Sequence, residues 1–426
     1  MSTMEVSDFR RAITNGLGRA VLWVRDHPWP PHEDAIQHVC LHNTAYDAQC
    51  EGSRAEYVND IVRLTGEPAR FVKTAARGLM EAQEYWTTCH LFHLNRLFAQ
   101  AGHAGARDAL YEKFKRDDAA ERFIGADELV KLDGLNGLLF VLERIGGWIA
   151  THPDYWLDDL LLPQAQEDLG SQVVSTVREA AETHPNIREY LGAVEKLNKD
   201  GSQQRGPDYR NFTYLELREK ILASHGNIPR GWLSGWGKRA SEDSIRLAAA
   251  DLLNEADDQL LIAYLRIFGL RAFPISCERL IKLATSQNSD LATASRRALR
   301  HVHSDLVRAL ALNLIREGGA DCDAVPLLAK NYGDDDHILI QSLLGRQSKE
   351  DDFHWAAHAA VNVFKANPQA PALPSLLKIY EECRCSLCRK GAVTIMLERR
   401  IIPPPILEEC KYDSYQCTRQ IASSVT

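Results

Sequence analysis

Residues 304–318, SDLVRALALNLIREG, decide how the rest of this chain is read. Ser304 and Asp305 stand where a helix start wants a side-chain acceptor and a negative charge. Val307, Leu310, Ala311 and Leu314 then recur at steps of three and four, the spacing of one helix face. The neighbouring segments share this texture: SEDSIRLAAADLL (241–253), DDQLLIAYLRIFG (257–269), SCERLIKLA (276–284), SDLATASRRALRHV (289–302), DAVPLLAKNY (323–332) and DDDHILIQSLLG (334–345). Each is about ten to fifteen residues, a length at which a helix is marginal alone and must bury its face on neighbours. Short helices paired and stacked in series describe an α-solenoid. The expected fold class is all-α.

Towards the N-terminus the helices lengthen. EPARFVKTAARGLMEAQEYWTTCHLFHLNRLFAQAG (67–102) carries Phe71, Ala75 and Leu79, then Trp86, Phe92 and Leu97, and stops at Gly102. GADELVKLDGLNGLLFVLERIGGW (125–148) reads the same way, with Gly146-Gly147 as the expected break. LGSQVVSTVREAAETHPNIREYLGAVEKL (169–197) predicts two helices split at His184-Pro185, because the residue before a proline avoids the helical region. NKDGSQQRGPDYRN (198–211) has no periodicity and marks the main expected boundary, and HGNIPRGWLSGWGKR (225–239) reads as a second loop. These signals predict a helical domain over 1–200, a linker and hinge loop over 201–240 and a repeat array over 241–426.

Apolar residues make up 45% of the chain and charged residues 25%, ordinary for a folded domain. The net charge of −8 argues against general nucleic-acid binding, which needs a surplus of Lys and Arg. Residues 1–200 carry net −10 and residues 201–426 net +2, so the first half repels phosphate while the second has room for a local basic face. MSTMEVSDFRRAITNGLG lacks the apolar core of a secretory signal, and no run approaches the length of a membrane span. Ten cysteines in 426 residues are too sparse for a disulfide scaffold, which predicts reduced thiols in a cytoplasmic setting.

Four of the short helices place Ala three residues after Arg: Arg246/Ala249, Arg308/Ala311, Arg389/Ala392 and Arg419/Ala422, two of them with Asp243 or Asp305 three residues earlier. This resembles the inner helix of HEAT repeats, and the resemblance implies a polar Asp–Arg ladder between repeats and close helix approach at the Ala. The separations of 62, 81 and 30 residues are not one period, so the array is degenerate. LHNTAYDAQCEGSRAEYVNDIV (41–62), GADELVKLDGLNGLLFVLERIG (125–146) and the pair CSLCRKGAV and ILEECKYDS within 385–414 resemble segments of an uncharacterised family of bacterial HEAT-repeat proteins. That similarity implies a helical fold and a bacterial cytoplasm, and it brings no activity with it.

EECRCSLCRKGAVTIML (381–397) is the densest cysteine stretch. Zinc takes four tetrahedral Cys or His ligands, usually as two close pairs. Cys385 and Cys388 offer one pair, and Cys410 and Cys417 the only nearby second. The six residues between the last two exceed the usual two to four, and buried free Cys behaves as a small hydrophobe. A helix start without metal or cofactor is therefore expected. His38/His42 and His354/His358 each lie one helical turn apart, and Cys89, His90 and His93 crowd one segment. No Glu follows the first His in the metalloprotease position, so these read as chance pairs. The acid runs 334–336 and 350–352 read as helix starts.

Trp232 and Trp236 interleave with Arg230, Lys238 and Arg239 just before a helix start near Ser241, the favoured contact-site candidate. Aromatics beside bases can stack on nucleobases. Nothing resembles a G-x-S-x-G elbow or a phosphate-cradling glycine loop. A non-enzymatic scaffold gripping a protein partner is the leading expectation, with a basic partner favoured by the acidic first half. The rivals are a nucleic-acid-binding HEAT-like protein of the DNA glycosylase kind and a HEAT-like lyase or carrier accessory.

Overall fold

Helices start where this sequence offers an acceptor to orphan backbone N–H groups. Thr213 forms a reciprocal capping box with Glu216, and Ser241, Asp257, Asn288 and Ser304 each accept from the first turn that follows. The computed structural model describes residues 4–116, 123–152, 157, 160–201, 211–318 and 321–425. Among them every regular element is a helix. No described helix is long and apolar enough to cross a membrane. Most of the boundary expected over 198–211 lies outside the described residues.

The helices are α1 (Val6–Asn15), α2 (Gly18–Asp26), α3 (Glu33–Leu41), α4 (Ala48–Glu51), α5 (Ala55–Leu64), α6 (Pro68–Glu81), α7 (Tyr85–Gln100), α8 (Ala104–Arg116), α9 (Ala126–Asp133), α10 (Leu135–Thr151), α11 (Leu161–Leu169), α12 (Val173–Thr183) and α13 (Pro185–Gly201). They continue as α14 (Tyr214–Ala223), α15 (Arg230–Arg239), α16 (Glu242–Asn254), α17 (Asp258–Ile267), α18 (Glu278–Leu283), α19 (Ser289–Leu299), α20 (Asp305–Glu317) and α21 (Asp321–Ala324). The chain ends with α22 (Asp336–Arg346), α23 (Glu350–Ala366), α24 (Leu373–Glu382), α25 (Ser386–Glu398), α26 (Pro404–Cys410) and α27 (Gln416–Ser423).

The chain divides into two compact units. The first holds residues 1–205, 384–387 and 403–426. Its core gathers Phe9, Ile13, Phe71, Phe92, Phe98 and Tyr190, all essentially without solvent exposure. The helix pair split at His184-Pro185 forms as the sequence predicts. Gly146-Gly147 does not break α10, which runs on to Thr151, and the break falls at Gly134, whose φ is +57°. A Cβ at Gly146 would lie 1.7 Å from the carbonyl oxygen of Asn186, so this glycine is what lets α10 meet α13 backbone to backbone. The last two helices pack within this unit too. The Ser414 amide donates to Gly16 O at 2.8 Å, Arg19 pairs with Glu409 at 2.9 Å, and α26 lies on α2.

The second unit holds residues 206–383 and 388–402. Here helices of like parity pack on one another. α15 meets α17, α17 meets α19, α19 meets α21, and α21 meets α23. In the other set α14 meets α16, α18 meets α20, and α22 meets α24. Successive helices such as α16 and α17, or α18 and α19, join the sets. α20 shows why each short helix holds: it buries Val307, Leu310, Leu314 and Ile315, each contributing about 1.5–3 kcal/mol on leaving water. Polar links step from one helix pair to the next. Arg218 pairs with Asp251 at 2.7 Å, and Asn288 Nδ2 donates to Asp258 at 2.8 Å. Asn331 Nδ2 donates to Val302 O at 2.9 Å, and Arg308 grips Asp336 with both Nη atoms at 2.6 and 2.9 Å.

Residues 230–239, read as part of a loop, form α15. Of the three glycines within it, Gly237 serves packing, since a Cβ there would sit 1.9 Å from Ile267 O, while Gly231 has nothing within 4 Å.

Candidate functional site

α23 turns a nearly continuous apolar face inward through Phe353, Ala356, Ala357, Ala360, Val363 and Phe364. At the edge of that face His354 is half-buried, while Trp355 and His358 stand in solvent. α24 ends at Cys383, whose amide closes the last turn on Ile379 O at 3.0 Å. Cys388 lies in the first turn of α25. Both cysteines are buried. Arg389 Nη1 donates to Cys383 O at 3.2 Å, so a fully buried guanidinium holds the end of α24. Gly391 brings α25 close to α23, because a Cβ there would meet Val361 Cγ1 at 2.8 Å.

The result is a cluster in which one nitrogen of His354 and the sulfurs of Cys383 and Cys388 all lie within 4.8 Å of one another. Cys388 Sγ stands 3.6 Å from His354 Nδ1. Two thiols and an imidazole at these distances can share a proton, form a disulfide, or bind a soft metal ion. Among the described residues this is the one group of three or more such ligands.

The other candidates fall out differently. Of the cysteine quartet, Cys388 joins His354 and Cys383, whereas Cys385, Cys410 and Cys417 belong to the first unit. Cys410 is fully buried and Cys417 exposed. His38 and His42 approach with ring centroids 4.7 Å apart on an exposed helix end, without a third ligand among the described residues. His90 is wholly buried. Its Nε2–H donates to Val39 O at 3.0 Å, which leaves Nδ1 to accept from Ser53 Oγ at 3.1 Å. Burial pushes its pKa down to about 4, so it is a neutral core histidine. Burial likewise pushes the Cys89 thiol up to about 11.

The tryptophan pair is split by the pitch of α15. Trp232 is 41% exposed in the first turn of α15, and Lys238 and Arg239 are exposed in its last turn. Trp236 is a core residue at 3%, with Nε1–H donating to Phe212 O at 2.8 Å. Arg230 of the same stretch is joined by arginines from distant positions. Arg230, Arg297 and Arg300 lie close enough to repel one another, and Arg266 adds to the repulsion on Arg230. Burial first, then these neighbours, lower the pKa of Arg230 and Arg300, with Asp323 opposing. Arg300 pairs with Asp323 at 3.1 Å. These arginines sit on α15, α17 and the end of α19, helices that pack in series, which sequence separation hides.

No protein-family model, curated protein or solved structure matches this chain.

Proposed function

We propose that this chain is a non-enzymatic binding protein whose second unit is a HEAT-like α-solenoid presenting a surface to a protein partner, as its resemblance to bacterial HEAT-repeat proteins implies. The observation that carries the reading is a set of aliphatic side chains left in solvent on two linked pairs of helices, α14 with α16, which pack together, and α20 with α22, which Arg308–Asp336 joins. Leu215 on α14, Leu247 on α16, Leu306 on α20 and Ile338 on α22 are 50–65% exposed. The first two are 32 residues apart, and so are the last two. Scattered exposed leucines are ordinary, but apolar residues recurring at one interval on linked helices suit an extended interaction surface. The pair-to-pair polar links, Arg308–Asp336 above all, support the same reading. The three alanines of the Arg-x-x-Ala helices within this unit, Ala249, Ala311 and Ala392, are fully buried. A basic partner suits the first 200 residues, at net −10.

Affinity capture from the native cell, with nuclease present, tests this. A protein held stoichiometrically by the native chain should be lost from a chain carrying Leu247→Asp and Ile338→Asp, with the helical circular-dichroism spectrum unchanged. Equal recovery by both chains overturns the proposed surface.

The arginine group favours a second reading, binding of nucleic acid along α15, α17 and α19. Capture that vanishes with nuclease, and DNA affinity that falls in a Lys238→Ala, Arg239→Ala chain together with its salt slope, would select it. Absence of DNA binding at low salt ends it.

A further inference from the structure

We propose that His354, Cys383 and Cys388 bind one zinc-class divalent ion, with the fourth coordination position taken by water or an exogenous ligand. The inference revises the expectation of a metal-free chain and is independent of what the helical array binds.

Geometry carries it. In a tetrahedral site with Zn–S near 2.3 Å and Zn–N near 2.0–2.1 Å, the sulfur–nitrogen edge is about 3.6 Å and the sulfur–sulfur edge about 3.8 Å. Cys388 Sγ and His354 Nδ1 stand 3.6 Å apart, and the whole triad falls within 4.8 Å. One edge therefore already has the length such a site needs and the others are within about 1 Å of it, so an ion can enter with small side-chain adjustments. The donor set selects the metal class. Two thiolates and an imidazole suit zinc, whereas magnesium and calcium demand oxygen ligands.

The surroundings fit the charge. Cys388 sits in the first turn of the 13-residue α25, where backbone N–H groups favour a thiolate. Two thiolates cancel the charge of a divalent ion, so the ligated centre can lie against the apolar face of α23. Cys383 and Cys388 are 1% and 4% exposed, while His354 is half-buried, which puts the accessible side of the site at the imidazole. Three elements meet at the ion, the start of α23, the end of α24 and the start of α25. Metal binding there would clamp the last helix pair of the unit.

The experiment uses the full chain purified under reductant without chelator. The expected result is one zinc per chain by elemental analysis, and on cobalt(II) substitution the intense visible bands of a tetrahedral thiolate site. Cys383→Ser and Cys388→Ser should each weaken zinc binding by more than the roughly 10–100-fold that loss of an outer-shell partner costs. His354→Ala should shift the cobalt spectrum while keeping its sulfur-to-metal band. A readout on the unsubstituted chain covers the case of variants that fail to fold. Zinc should protect two thiols, identified by peptide mapping as Cys383 and Cys388, from alkylation, and a chelator should release both. The proposal is overturned if the reduced chain takes up no zinc, or if zinc stays bound with those two thiols still reactive. Recovery of a metal-free Cys383–Cys388 disulfide from a preparation kept reduced overturns it equally.

Discussion

His90 has a neutral form that the fold requires. Its two ring nitrogens are committed to Val39 O and Ser53 Oγ, and burial holds its pKa near 4 against an ordinary value of 6.5. The unfolded chain thus binds a proton that the native chain refuses, and the stabilisation is complete above about pH 6.5 and lost as pH falls towards 4. The loss amounts to up to about 3 kcal/mol for a shift of this size. His93, also pushed down by burial, adds to the same window. Urea unfolding between pH 7 and 4 should show this slope in the native chain and a smaller one in His90→Gln. Parallel slopes would assign the acid sensitivity elsewhere. Two glycines make the complementary test of packing. Gly146→Ala forces α10 and α13 apart and should cost about 1–3 kcal/mol in spite of alanine's better helix propensity. Gly192→Ala, on a helix position with nothing within 4 Å, should stabilise by about 0.5–1 kcal/mol. Thermal unfolding of both variants reads the two signs, and a stabilising Gly146→Ala would refute the close approach.

At the scale of elements, helix starts were legible because caps act within one turn. Ser241, Asp257 and Ser304 cap as their sequence positions predict, and Asn288 caps one residue before the expected start at Ser289. Glycine misled in two places for one reason. Gly146 and Gly237 look like breakers, yet each makes room for a carbonyl oxygen of another helix. The Arg-x-x-Ala pattern was half legible. Its alanines are buried in all four helices, but only Arg308 pairs with an acid of the next helix pair, and that acid is Asp336 rather than Asp305. Arg246 is exposed, and Arg389 is spent on Cys383 O. A double-mutant cycle on Arg308→Ala and Asp336→Ala should give a coupling of about 1.5–3 kcal/mol, the range of hydrogen bonds to charged groups. Additive effects would show that this link does not join the pairs energetically.

At the scale of the molecule, local pattern and tertiary outcome part company. The sequence by itself determined that the chain is helical, where most helices begin, and that most of those after about residue 240 are too short to stand alone, since all of these rest on interactions spanning four residues or fewer. Only the tertiary structure decided which distant residues share a neighbourhood. It turns Trp236 inward and leaves Trp232 out, and it packs 403–426 among the first helices. It also sets Cys388 beside His354, 34 residues earlier, rather than with the cysteine pair its spacing suggested. Such neighbourhoods depend on how helix pairs stack, and stacking is set by the summed burial of many small faces, which no short stretch of sequence contains.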